Sequence, residues 1–177
     1  MSAIAIRLQS GRTIMEMLCL LAIAGILSVI GIAGYSMAME KYKTNALIDK
    51  VNVIAQQARN VYKKGNYSDF NISNLVAINK IQDNNNPFGG RLLSGNTGDS
   101  QVFSIYTEQF NVPADACVAV LRTNWGDNGT FNRIRVKTYA VPPAEPATQS
   151  FDSTPVAAGS AVNTCFGGNK QIEWILK

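Results

Sequence analysis

Residues 10–29 read SGRTIMEMLCLLAIAGILSV, and their charges decide how the fold begins. Arg12 and Glu16 precede a run, Met17 to Met39, that carries neither a charge nor a proline. At about 1.5 Å of rise per residue such a helix is roughly 35 Å long, enough to cross a bilayer core of about 30 Å. Arg7 and Arg12 lie on its N-terminal flank. The positive-inside rule holds that end in the cytoplasm and sends the C-terminal part outward. Glu16 stands on the threshold of the run. A carboxylate there is costly unless a cation meets it or the side chain snorkels back to the interface.

The helical pattern does not stop at Met39. From Glu40 to Tyr62 the apolar residues Leu47, Val51, Ile54, Ala58 and Val61 recur at spacings of four and three, with Lys43, Asp49, Lys50, Gln57 and Arg59 between them. No proline interrupts the stretch, and Gly65-Asn66 supplies a stop. The spacing predicts one helix from about Thr13 to about Lys63, on the order of 75 Å long. Its first half is apolar all round; its second half has one stripe to lay against a C-terminal domain. Gly25, Gly31 and Gly34 lie in the apolar half. They read equally well as points where the helix loosens or as close-packing positions.

The chain has 177 residues, a net charge of +4 and no histidine. Without histidine, Ser-His-Asp, Cys-His and HExxH chemistry are excluded. Lysine- or carboxylate-based catalysis stays open, but a non-enzyme without cofactor or metal is expected. No run of Lys or Arg suggests a nucleic-acid surface. Of the three cysteines, Cys19 sits inside the apolar run, while Cys117 and Cys165 both fall in the outward-facing part. Those two are expected to pair in an oxidising compartment. Closing a loop of about 49 residues would stabilise the fold by roughly 4 kcal/mol.

Beyond Gly65 the texture changes to short segments separated by turn signals. Ile72 to Ile81 reads as a brief helix, and Asp83-Asn84-Asn85-Asn86-Pro87-Phe88-Gly89-Gly90 as a turn cluster rather than a calcium loop, since the EF-hand pattern is missing. Strands are expected at Gln101–Thr107, Ala116–Arg122, Arg133–Val141 and Gln171–Leu176. Asp127-Asn128-Gly129-Thr130 reads as a turn, and Pro142–Ala161, rich in Pro, Ala, Ser and Thr, as an exposed loop. The fold class is therefore α+β: a long N-terminal helix packed on an antiparallel sheet.

Three readings compete for the N-terminal segment. A secretory signal could end at Ser36-Met37-Ala38, and an uncleaved anchor would leave a single-pass protein. Neither accounts for Glu16 or for a helix that continues through residues 36–38. Gly11-Arg12-Thr13-Ile14-Met15-Glu16-Met17-Leu18 resembles the processing site of type IV pilins and pseudopilins. The resemblance implies cleavage between Gly11 and Arg12 by a prepilin peptidase, with Glu16 as the fifth mature residue. It implies a leader at residues 1–11, a membrane and filament-core helix at 12–64, and a globular domain at 65–177 with a disulfide-bounded loop. Glu16 would set register by meeting the new α-amine of Arg12 in a neighbouring subunit. Arg12 departs from the Phe, Met or Leu usual at that position, which leaves N-methylation open.

The resemblance reaches further with less specific residues. Asn86-Pro87-Phe88-Gly89-Gly90 ahead of a strand, and Val112-Pro113-Ala114-Asp115-Ala116-Cys117 with Cys165 and Gln171-Ile172-Glu173-Trp174, are similar to type IVb pilins. The implied function is a structural subunit that polymerises into a pilus-like filament. Its partners would be copies of itself, the peptidase, the assembly machinery and, before assembly, the cytoplasmic membrane. Pseudopilins of type II secretion systems, DNA-binding minor pilins and a secreted binding domain remain as alternatives.

Overall fold

The computed structural model describes residues 14–62, 65–95, 97–126, 129–138 and 147–177, and the chain divides after Met39 into two units. One unbroken helix, α1 (Ile14–Val61), contributes to both. It lacks proline, and its last described turn carries Arg59, a cation that favours a helix C-terminus. In the first unit α1 is exposed on every side.

The second unit gives the other half of α1 an apolar partner. Leu47, Val51, Ile54, Ala55 and Ala58 are all 3% exposed or less and share one core cluster with the sheet. Burying each large aliphatic side chain contributes about 1.5–3 kcal/mol. Val61, expected in this stripe, is 38% exposed, and Ala55 fills the face in addition. Thr44 is also buried; its Oγ1 donates to the Glu40 carbonyl (2.8 Å), so the hydroxyl enters the interior already bonded.

The remaining elements are α2 (Ile72–Ala77), β1 (Leu92–Gly95), β2 (Phe103–Thr107), α3 (Ala114–Arg122), β3 (Phe131–Thr138), β4 (Ala147–Phe151), α4 (Ala158–Cys165) and β5 (Lys170–Leu176). The five strands lie in the order β1-β2-β5-β3-β4, each antiparallel to its neighbours. The last strand is the central one, so the sheet cannot close until the C-terminal segment is in place. Ile172, Trp174 and Leu176 of β5 face the core with Phe103 and Ile105 of β2 and Ile134 and Val136 of β3. Within each strand these core residues recur at every second position, the period-two alternation of a pleated strand.

The α+β architecture stands as expected, with three local corrections. Ala116–Arg122 is not a strand but lies in α3, where Ala116, Cys117, Val120 and Leu121 are buried at helical spacing. Pro113 at the N-cap and Asp115 in the first turn start the helix, and this outweighs the β-branched valines at 118 and 120. Pro142–Ala161 is not all loop: it contains β4 and the first turn of α4. β4 is an edge strand, exposed from Ala147 to Ser150, so no apolar alternation marked it. The helix expected at Ile72–Ile81 ends early, at Ala77, capped by Ile78 and followed by Asn79 at φ 53°.

Candidate assembly helix and disulfide module

Within the first unit every large apolar side chain from Ile14 to Met37 is exposed, from 44% at Leu20 to 80% at Ile14. The segment is long and apolar enough to cross a membrane. Glu16 sits in the first turn of α1, exposed, where a carboxylate is favoured by the backbone dipole. The expected cleavage pair Gly11–Arg12 lies outside the described residues. A Cβ on Gly25, Gly31 or Gly34 would meet no atom within 4 Å. These glycines relieve no crowding within the chain. Cys19 is exposed on the same surface and forms no disulfide.

In the second unit two cations on α1 reach loops that the sequence pattern does not connect to it. Lys50 Nζ bonds Asp83 Oδ1 (2.6 Å) and donates to the Asn85 carbonyl (3.0 Å). Asp83 Oδ1 also accepts from the Asn85 amide (2.7 Å). The hydrogen bonds from Lys50 and from the Asn85 backbone hold the Asp83 carboxyl below its usual range. The Asp83–Asn86 stretch is thus turn chemistry tied to the helix. Arg59 Nε donates to the Lys177 carbonyl (2.6 Å) and its Nη2 to that of Thr130 (2.9 Å), joining α1 to the end of β5 and the approach to β3.

Cys117 and Cys165 form the expected disulfide, joining α3 to α4 across a sequence separation of 48, with Cα atoms 5.8 Å apart. Both cysteines are fully buried. Trp125 Nε1 donates to the Val120 carbonyl (2.9 Å) and its ring meets Trp174 edge-on at 5.6 Å. A cation the sequence reading missed completes the module. Lys170, fully buried, turns its ammonium onto the carbonyls of Phe166 (3.0 Å) and Gly167, just past the C-terminus of α4. Burial pushes its pKa down. The same residue pairs by its backbone with Val112, ahead of α3 (3.1 and 2.9 Å). The disulfide ties α3 to α4, and Lys170 ties the end of α4 and the approach to α3 to the central strand. Only the lysine's position five residues after the helix end hinted at this role.

Among the described residues no group of three His, Cys, Asp or Glu side chains converges as a metal site. What the arrangement offers is a membrane-length apolar helix continuous with the core helix of a cross-linked α+β domain. No protein-family model matches the chain, and no curated protein is significantly similar to it.

Proposed function

We propose that this protein is a structural subunit of the type IV pilin kind, built to polymerise through α1 into a filament. One observation carries the reading: a single helix, Ile14–Val61, is apolar and exposed all round in its first half and part of the domain core in its second. A cleaved secretory signal has no use for a helix that continues through Ser36–Ala38 into the core of the mature domain. In this reading the precursor waits in the cytoplasmic membrane and loses residues 1–11. The apolar half-helices then exchange lipid for one another. A head-to-tail interface of this sort does not close, so it grows. The Glu16 carboxylate meets the α-amine of Arg12 in the neighbouring subunit and sets the axial stagger. In a low-dielectric core, removing one partner of such a pair costs about 3–5 kcal/mol.

Filament yield tests the proposal. Cells carrying wild type, Glu16→Asp or Glu16→Gln are first shown by intact mass to contain the mature chain from Arg12, and then sheared. Wild type yields surface filaments, Glu16→Asp fewer, and Glu16→Gln almost none while still inserting in the membrane. Wild-type yield from fully processed Glu16→Gln removes the register role. Absence of surface filaments from wild type, with loss of enzyme secretion on deletion, would point instead to a periplasmic pseudopilus.

A further inference from the structure

The uncharged run of α1 ends at Met39, and Glu40, Lys41, Tyr42 and Lys43 follow it in the same helix. These four residues open the second unit. At about 100° per residue, Glu40 falls on the side of the buried Thr44 and Leu47, with Lys41 and Lys43 on its two flanks. Tyr42 projects from the far side and is 69% exposed; Tyr35, just short of Met39, is 67% exposed. Lys41 is exposed and Lys43 half-buried. Elsewhere in this unit Lys50, Arg91, Arg133, Arg135 and Lys137 each meet a carboxylate. Among the described residues Lys41 and Lys43 meet none, although Glu40 lies within a helical turn of both.

From this placement we propose that Lys41, Tyr42 and Lys43 form a collar that binds the phosphates of anionic phospholipids. The proposal rests on the reading of residues 17–39 as membrane-spanning. At about 1.5 Å of rise per residue, the two lysines follow the apolar run by only about 3 to 6 Å. The headgroup layer adds roughly 5–8 Å on each side of the hydrocarbon core, so both ammonium groups fall within it. A lysine stem lies along the acyl boundary while its ammonium reaches the phosphates. Tyr42 suits the same depth, with its ring among the chains and its hydroxyl among the headgroups. A zwitterionic lipid brings its own cation to the phosphate, whereas an anionic lipid leaves that charge for the lysines. Glu40, half-buried on the domain side, offsets part of the attraction. The collar gives the precursor a lipid partner that it surrenders when the helices leave the bilayer to assemble.

The test places the full chain in nanodiscs of equal phosphatidylglycerol and phosphatidylcholine with matched acyl chains. Native mass spectrometry then counts the lipids that leave with the protein. Wild type carries phosphatidylglycerol in excess. A lysine near an anionic surface contributes about fivefold, so Lys41→Gln/Lys43→Gln should lower the ratio of the two lipids by about fivefold or more. Lys41→Arg/Lys43→Arg keeps the charge and should keep the ratio. Lys41→Gln alone, at an exposed position, should give a smaller fall in the same direction. Arg7 and Arg12 are unchanged throughout, so the difference reads the collar and not the other end of the helix. Tryptophan fluorescence checks the fold of each variant. Equal ratios in wild type and the folded glutamine variants overturn the proposal while leaving the membrane reading intact. Retention of neither lipid by wild type overturns both.

Discussion

Removing the Cys117–Cys165 cross-link tests how the globular unit is held together. The bond closes a separation of 48 residues, and the lost restriction of the unfolded chain corresponds to about 4 kcal/mol. Both sulfurs are buried, so the double variant Cys117→Ala/Cys165→Ala adds a packing loss of about 1 kcal/mol. Reducing the wild-type protein instead isolates the cross-link. The assay is urea unfolding read by tryptophan fluorescence. The chain has two tryptophans, Trp125 and Trp174, both in the core of the second unit, so the signal does not report on the membrane-length segment. With a slope of about 2 kcal/mol per molar urea, the midpoint should fall by roughly 2 M. The slope should also rise, because an uncrosslinked chain exposes more surface when it unfolds. A fall of less than about 0.5 M in both reduced and doubly substituted protein, near 1 kcal/mol at that slope, would refute the reasoning. The module would then be held by Lys170 and its packing instead.

Lys50→Met should cost about 1 kcal/mol at pH 7, a modest figure because the ion pair with Asp83 is partly exposed. Asp83 has a folded pKa below its ordinary 3.8, so the stabilisation is complete above 3.8 and lost as pH falls through the lower folded value. Wild type and variant should therefore converge in urea midpoint under acid; a gap that persists there would place the effect in packing. Gly95→Ala should destabilise by about 1–3 kcal/mol. A Cβ there would collide with Ser104 Oγ, buried in the neighbouring strand, and an unchanged melting temperature would contradict that. Gly11→Val should leave uncleaved precursor in the membrane, read by intact mass. A wild-type chain beginning at Met39 would instead assign the cut to signal peptidase.

The parts of this protein legible in the sequence are those where one local signal repeats without competition. The uncharged run from Met17 to Met39 and the spacing of Leu47, Val51, Ile54 and Ala58 are long, uninterrupted patterns, and α1 follows them to within a residue or two. Strands β2, β3 and β5 overlap the β-rich stretches expected at Gln101–Thr107, Arg133–Val141 and Gln171–Leu176. Ala116–Arg122 misled because its β-branched residues suit either a strand or a buried helix, and the start at Pro113 and Asp115 together with packing against α4 selects the helix. β4 was invisible because an exposed edge strand owes its conformation to hydrogen bonds with β3 rather than to its own side chains. Tertiary structure alone decided the contacts made by lone side chains over long separations. Lys50 finds Asp83, Arg59 finds the carbonyls of Thr130 and Lys177, and the buried ammonium of Lys170 finds the end of α4. Each is one residue whose partner is set by the path of the whole chain. Periodicity carries no information about such pairs, whereas it carries nearly all of it about a helix that must bury one stripe.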